Sequence, residues 1–230
     1  INQTMGNNNT ASTYEKPSFV PDSNSEGQVR QIDTHLGTVL VRIVWAENKN
    51  DPNKAPVVCL PGASPALVDE WVKVAVELSK EGYTVCIINF HSNISTKPGI
   101  LFGGIQPEDV SKIINEAVLE AIFQSEKGII MGKSWGGYMA YTHAATHPSK
   151  VEKLCLQAPA FSNDARIAAL AATKIPTFLA WARDDPLIWY STSDAWLSGM
   201  GDLLTFFSTD TGGHSIVHEY IEPIIKFIQS

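Results

Sequence analysis

Three stretches of this 230-residue chain carry residue types that together could perform nucleophilic acyl chemistry. The first is Gly132-Lys133-Ser134-Trp135-Gly136, a serine with a glycine two positions before it and another two after. A nucleophilic serine must stand clear of the backbone at the tip of a strained strand-to-helix turn. Side chains at the flanking small positions would collide across such a turn. The start of the following helix aims backbone N–H groups and the positive end of its dipole at the same point, which suits a developing oxyanion. A hydroxyl is a poor nucleophile unless a base takes its proton, and the base needs an acid to orient it. Arg183-Asp184-Asp185-Pro186 offers two candidate acids, and Gly212-Gly213-His214 offers a candidate base.

The surrounding elements must bring these stretches together. Ile129-Ile130-Met131 is a β-type run before the serine, and residues 138–145 read as a helix that stops before Pro148. From residue 56 onward, apolar β-type runs alternate with helical ones. Strands are expected at 56–60, 83–90, 151–160, 175–182 and 203–208. Helices are expected at 65–80, at 107 to about 124, as a short piece within 162–174, at 189–200 and at 216–228. This alternation predicts a parallel sheet covered on both faces. Residues 29–33 and 38–46 alternate in polarity and predict an antiparallel hairpin at its edge. Functional groups in such a sheet gather at the carboxyl ends of the strands. Ser134, the two aspartates and His214 each follow a strand-like run, in the order Ser, Asp, His. No shift in composition divides residues 28–230, which read as one domain behind a disordered or extended polar tail at 1–27.

On Gly132-Lys133-Ser134-Trp135-Gly136-Gly137, Ala182-Arg183-Asp184-Asp185-Pro186-Leu187-Ile188 and Gly212-Gly213-His214, the chain resembles the α/β-hydrolase fold family from about residue 29 to its end. The resemblance implies a mostly parallel sheet with helices on both faces and an antiparallel N-terminal hairpin. It also implies Ser134 as nucleophile, an aspartate after the penultimate strand as acid, and His214 as base. In the family the acid commonly falls three residues after a small residue and just before a proline or other turn residue. Ala182 and Pro186 give that frame to Asp185, and Asp184 then reads as a solvated turn charge. The oxyanion donors would be the N–H of Trp135 and one from the loop after Leu60, either Ala63 or, as second choice, Ser64. Pro61 stands where the family usually has histidine in that loop. The stretch 160–174 is too short for the helical lid that many relatives insert, so no sizeable lid is expected. Leu101, Phe102, Phe161 and Trp189 are candidate walls of an apolar substrate pocket. The reading is a lidless serine hydrolase, of carboxylesterase or thioesterase type, for a small-molecule ester or thioester. The alternative is a ligand-binding or sensor protein on the same fold with a slow or vestigial triad, because fold alone does not dictate activity.

Composition narrows the partners. The net charge of −7 argues against nucleic acid and against anionic membrane surfaces. No run of apolar residues is long enough to span a membrane. Neither a phosphate-binding glycine loop nor a Gly-x-Gly-x-x-Gly pattern is present, so no cofactor is expected. His143 and His147, and His214 and His218, are spaced four apart as zinc ligands can be. Neither pair has the glutamate of the His-Glu-x-x-His type, so they read as solvent or helix-end histidines and no metal is expected. Cys59, Cys86 and Cys155 lie in apolar runs and read as buried reduced thiols, which favours a cytoplasmic location. Met5-Gly6-Asn7-Asn8-Asn9-Thr10 fits the N-myristoylation pattern and would carry a lipid anchor if Met5 is the native start.

Overall fold

The computed structural model describes residues 27–47, 54–63, 68–90, 104–216 and 218–230. The tail at 1–26, the Met5-Gly6 motif, Ser64, Leu101 and Phe102 lie outside the described residues. Among the described residues eight strands form one sheet in the order β1-β2-β4-β3-β5-β6-β7-β8. They are β1 (Gln28–Thr34), β2 (Gly37–Val44), β3 (Val57–Leu60), β4 (Val85–Asn89), β5 (Gly128–Lys133), β6 (Val151–Gln157), β7 (Thr177–Ala182) and β8 (Leu204–Thr209). β2 pairs antiparallel with both β1 and β4, and every other pairing is parallel.

The strand sequences state their surroundings. β1 alternates half-buried and exposed residues, as an edge strand with one covered face does. β3, β5 and β7 are buried along their whole length, because helices cover both of their faces. On one face lie α1 (Val68–Lys80) and α6 (Ile221–Gln229), whose Trp71, Val74, Leu78, Ile224 and Phe227 pack on Val57, Cys59, Ile87 and Met131. On the other lie α2 (Pro107–Lys112), α3 (Ser134–Thr146), α4 (Asp164–Ala171) and α5 (Ser193–Met200). Val110, Met139, Ile167 and Trp196 from these helices share a core with Val58, Leu60 and Leu156.

β4 lies on one side of β3 and β5 on the other, so the winding of the sheet reverses there. A crevice opens at such a reversal, at the carboxyl ends of the flanking strands. The loop after β3, which carries Ala63, and the turn after β5, which carries Ser134, therefore face the same crevice. Between β6 and β7 there is only the two-turn α4, in keeping with the expectation of no inserted lid at that point.

Several elements depart from the sequence reading for physical reasons. The helix from residue 107 to about 124 is α-helical only to Lys112 and continues as a π-helix over Ile113–Phe123. Its buried residues fall at Ile113 and Val118, and at Ile114 and Leu119, spaced by five. That spacing matches i→i+5 winding better than an α-helical stripe. The strand expected to reach residue 160 ends at Gln157, because Ala158 turns to φ +40°. The helix expected from Trp189 begins at Ser193, after a single 3₁₀ turn at Tyr190–Thr192. The three cysteines are free and buried, and burial pushes their thiols up.

His143 is neither solvated nor simply at a helix end. It is fully buried in the last turn of α3, stacked on His147 at 5.2 Å, and among the described residues neither ring nitrogen has a hydrogen-bond partner. Burial, then the neighbouring His147, pushes its pKa down to about 3. The unfolded chain would protonate this ring near 6.5, so the unfolded state binds the extra proton and stability falls as pH drops from about 7 toward 3. By linkage, about 2 kcal/mol should be lost between pH 7 and pH 5 through this residue alone. In His143→Leu the difference between the pH 7 and pH 5 urea-unfolding free energies should shrink by about that amount. An unchanged difference would mean that His143 is not held neutral.

Candidate functional site

Ser134 sits where β5 turns into α3, with φ +54°, a left-handed conformation that is unfavourable for a residue with a side chain. The surrounding packing enforces it. A Cβ on Gly132 would strike the carbonyl of Gly136, and a Cβ on Gly136 would strike the carbonyls of Leu60 and Pro61. Only glycine lets the turn, the helix start and the loop after β3 approach this closely. The Ser134 carbonyl accepts a 2.9 Å hydrogen bond from the N–H of Ala160, which ties the loop after β6 to the same turn. Trp135 is buried, its ring edge-on to Phe90 at 5.6 Å. Ala63 is half-buried against the core, two residues beyond the Pro61 carbonyl that lies on Gly136. The two expected oxyanion donors thus belong to backbone segments in direct contact.

Asp185 and His214 meet. Asp185 has a fully buried side chain and follows β7. Its Oδ1 accepts hydrogen bonds from the N–H groups of Leu187 and Ile188, both at 2.9 Å, which is a turn closed by the carboxylate itself. Its Oδ2 lies 2.7 Å from His214 Nδ1. A carboxylate that accepts the Nδ1–H hydrogen bond fixes the tautomer that leaves Nε2 free to take another proton. Asp184 is exposed, but it is not simply a solvated turn charge. Its Oδ1 accepts a 2.8 Å hydrogen bond from the N–H of Gly213, the residue before His214. The two neighbouring aspartates therefore both grip the histidine loop, one by its backbone and one by its ring. Among the described residues no hydrogen bond joins Ser134 to His214. Hydrogen bonds of this kind are often long before substrate binds.

The residues expected to wall a pocket are partly placed. Phe161 and Trp189 are 63% and 74% exposed, on the loops after β6 and before α5. Phe161 packs edge-on against Tyr138 at 5.3 Å. Leu187, two residues after Asp185, is likewise exposed.

One pair escaped the sequence reading. Lys133, immediately before Ser134, has a completely buried side chain whose Nζ is hydrogen-bonded to Glu70 Oε2 on α1. Burial lowers the lysine pKa, opposed by the hydrogen bond to Glu70, by the charge of Glu70 and by that of Asp185. In sequence Lys133 fills only a variable position of the motif, and Glu70 is one of two acids in the first turn of a helix. The signal was a lysine inside an otherwise apolar strand, because a buried charge requires a partner.

Comparison with known proteins gives the same architecture. A family model described as the alpha/beta hydrolase fold matches residues 55–171. No curated protein matches significantly. Among solved structures, a predicted CIB-like hydrolase from Thermoplasma acidophilum is similar with a TM-score of 0.68 at 22% identity, covering 88% of this chain and 94% of that one. A putative dienelactone hydrolase from Klebsiella pneumoniae has a TM-score of 0.69 at 12% identity, over 88% and 98% of the two chains. Naproxen esterase from Bacillus subtilis has 0.65 at 14% identity, over 87% and 90%. Likenesses at these identities establish the fold and nothing finer.

The contact at Gly136 is directly testable. Gly136→Ala forces a methyl group onto two backbone carbonyls that cannot move independently. It should lower the urea-unfolding free energy by at least about 2 kcal/mol, as overpacking against backbone does. A variant as stable as the parent would show that the loop after β3 does not press on the helix.

Proposed function

Since the chain belongs to the α/β-hydrolase fold family, we propose that it is a serine hydrolase that cleaves a small ester or thioester through an acyl-enzyme. Ser134 Oγ attacks the carbonyl carbon while His214 Nε2 takes its proton. Asp185, bonded to His214 Nδ1, orients the ring and stabilises it when it becomes cationic. The N–H groups of Trp135 and Ala63 hold the oxyanion of the tetrahedral intermediate. His214 then returns the proton to the leaving alcohol or thiol. A water attacks the acyl-enzyme in the mirror-image second half, restoring Ser134. Phe161, Leu187 and Trp189 offer exposed apolar surface for the carbon chain of the substrate, and Leu101 and Phe102 are further proposed contacts. What supports this reading most is the 2.7 Å hydrogen bond between His214 and the buried Asp185 carboxylate.

The experiment is hydrolysis of a short p-nitrophenyl ester together with covalent labelling by a fluorophosphonate. Ser134→Ala should abolish both while leaving the fold intact. Labelling that persists in this variant would move the nucleophile elsewhere. Efficient labelling of the parent without useful turnover would favour a sensor with a vestigial triad.

Two further substitutions separate the aspartates. Asp185→Asn should lower kcat by about two to four orders of magnitude, because the amide no longer holds the required tautomer. Asp184→Asn retains an oxygen for the Gly213 N–H and should cost less than about tenfold. The opposite ranking would transfer the orienting role to Asp184.

A further inference from the structure

The Lys133–Glu70 pair lies where three segments of the proposed site converge. Lys133 ends β5 and precedes Ser134. Glu70 is in the first turn of α1, the helix that follows the loop of Ala63. The Glu70 oxygen that accepts the hydrogen bond from Lys133, Oε2, also accepts one from the N–H of Ile216 at 3.3 Å, two residues beyond His214. A single carboxylate oxygen thus joins the strand that leads into the serine to the loop bearing the histidine. The charged groups facing Lys133 Nζ are Glu70 from α1 and, at longer range, Asp185 from the loop after β7. Trp71, the neighbour of Glu70, lines a small apolar cavity with Ile216 and Tyr220.

Neither residue belongs to the proposed triad or oxyanion hole, and a hydrophobic residue at position 133 would suit the strand better. A lysine with a fully buried side chain in this strand requires a positional explanation, because burying a charge opposes folding unless each of its partners is met. We propose that Lys133 and Glu70 are positioning residues that latch the His214 loop to the Ser134 turn. The proposal rests on the serine hydrolase reading. The rigid strand supplies the fixed point, since Lys133 is paired in register with Gln157 in the middle of the sheet. Lys133 fixes the Glu70 carboxylate, and the carboxylate fixes the backbone at Ile216. Asp184 holds the same loop on the other side of His214 through Gly213. The histidine is thereby held at its ring by Asp185 and at its backbone from both sides, one of the two backbone restraints running through the residue next to the nucleophile.

The test uses three variants of the full chain and two independent readouts. Lys133→Met with Glu70→Ala removes both charges together, so no lone buried charge remains to unfold the protein. Glu70→Ala removes the acceptor alone, and Glu70→Gln keeps an oxygen for the Ile216 N–H. Hydrogen exchange at the Ile216 amide should be at least about tenfold faster in Glu70→Ala and in the double variant, and close to the parent in Glu70→Gln. In the double variant kcat on the p-nitrophenyl ester should fall by about ten- to a hundredfold, with KM changed by less than about threefold, as misplacement of a catalytic group produces. A double variant with parental kcat, or Glu70→Ala with parental exchange at Ile216, overturns the latch. If the parent neither hydrolyses the ester nor labels at Ser134, the hydrolase reading fails by itself. The exchange measurement then still decides whether Glu70 holds the loop.

Discussion

The site depends on one crowded backbone contact. The turn after β5, the first turn of α3 and the loop after β3 occupy a space with no room for a Cβ at position 132 or 136. Excluding those two side chains lets three backbone segments touch, and the touching forces Ser134 to φ +54°. The strain at Ser134 is therefore maintained by the packing around it. It persists because β5 is buried along its whole length and cannot relax toward either face. The reversal of the winding at β3 and β5 then places this contact at an open crevice rather than beneath a helix.

A second layer of interactions grips the histidine loop. Both oxygens of the Asp185 carboxylate are engaged: one closes its own turn and the other holds the imidazole. Asp184 takes the backbone of Gly213, and Glu70 takes the backbone of Ile216. These acceptors come from two regions far apart in sequence, and the groups they bind lie within four residues of one another. A loop with few apolar anchors can be held this way by polar contacts alone, provided each acceptor is itself fixed by a strand end or a helix. Phe161, Leu187 and Trp189, by contrast, are largely exposed apolar side chains.

The interior ionisable groups are managed in two ways. Lys133 is compensated by Glu70, whereas His143, with no hydrogen-bond partner among the described residues, is kept neutral. The first arrangement suits a group whose charge holds other groups in place. The second makes an otherwise apolar helix–sheet interface sensitive to acid. The cysteines, pushed toward the protonated thiol by burial, take no part in the proposed chemistry.

The sequence by itself determined the alternation of strands and helices, the edge hairpin and the serine turn. These depend on local rules: continuous apolar runs for strands covered on both faces, alternating ones for the edge, and glycine where a Cβ cannot fit. The family resemblance, supported by the match over residues 55–171, extended that reading to the fold. The family frame of Ala182 and Pro186 pointed to Asp185, and only the tertiary structure showed that Asp184 also holds the histidine loop, through the Gly213 backbone. It likewise decided that residues 113–123 wind as a π-helix, that His143 is buried and that Lys133 finds Glu70, 63 positions away. The burial of His143 and the pairing of Lys133 with Glu70 are set by contacts between residues remote in sequence, which local propensity does not record.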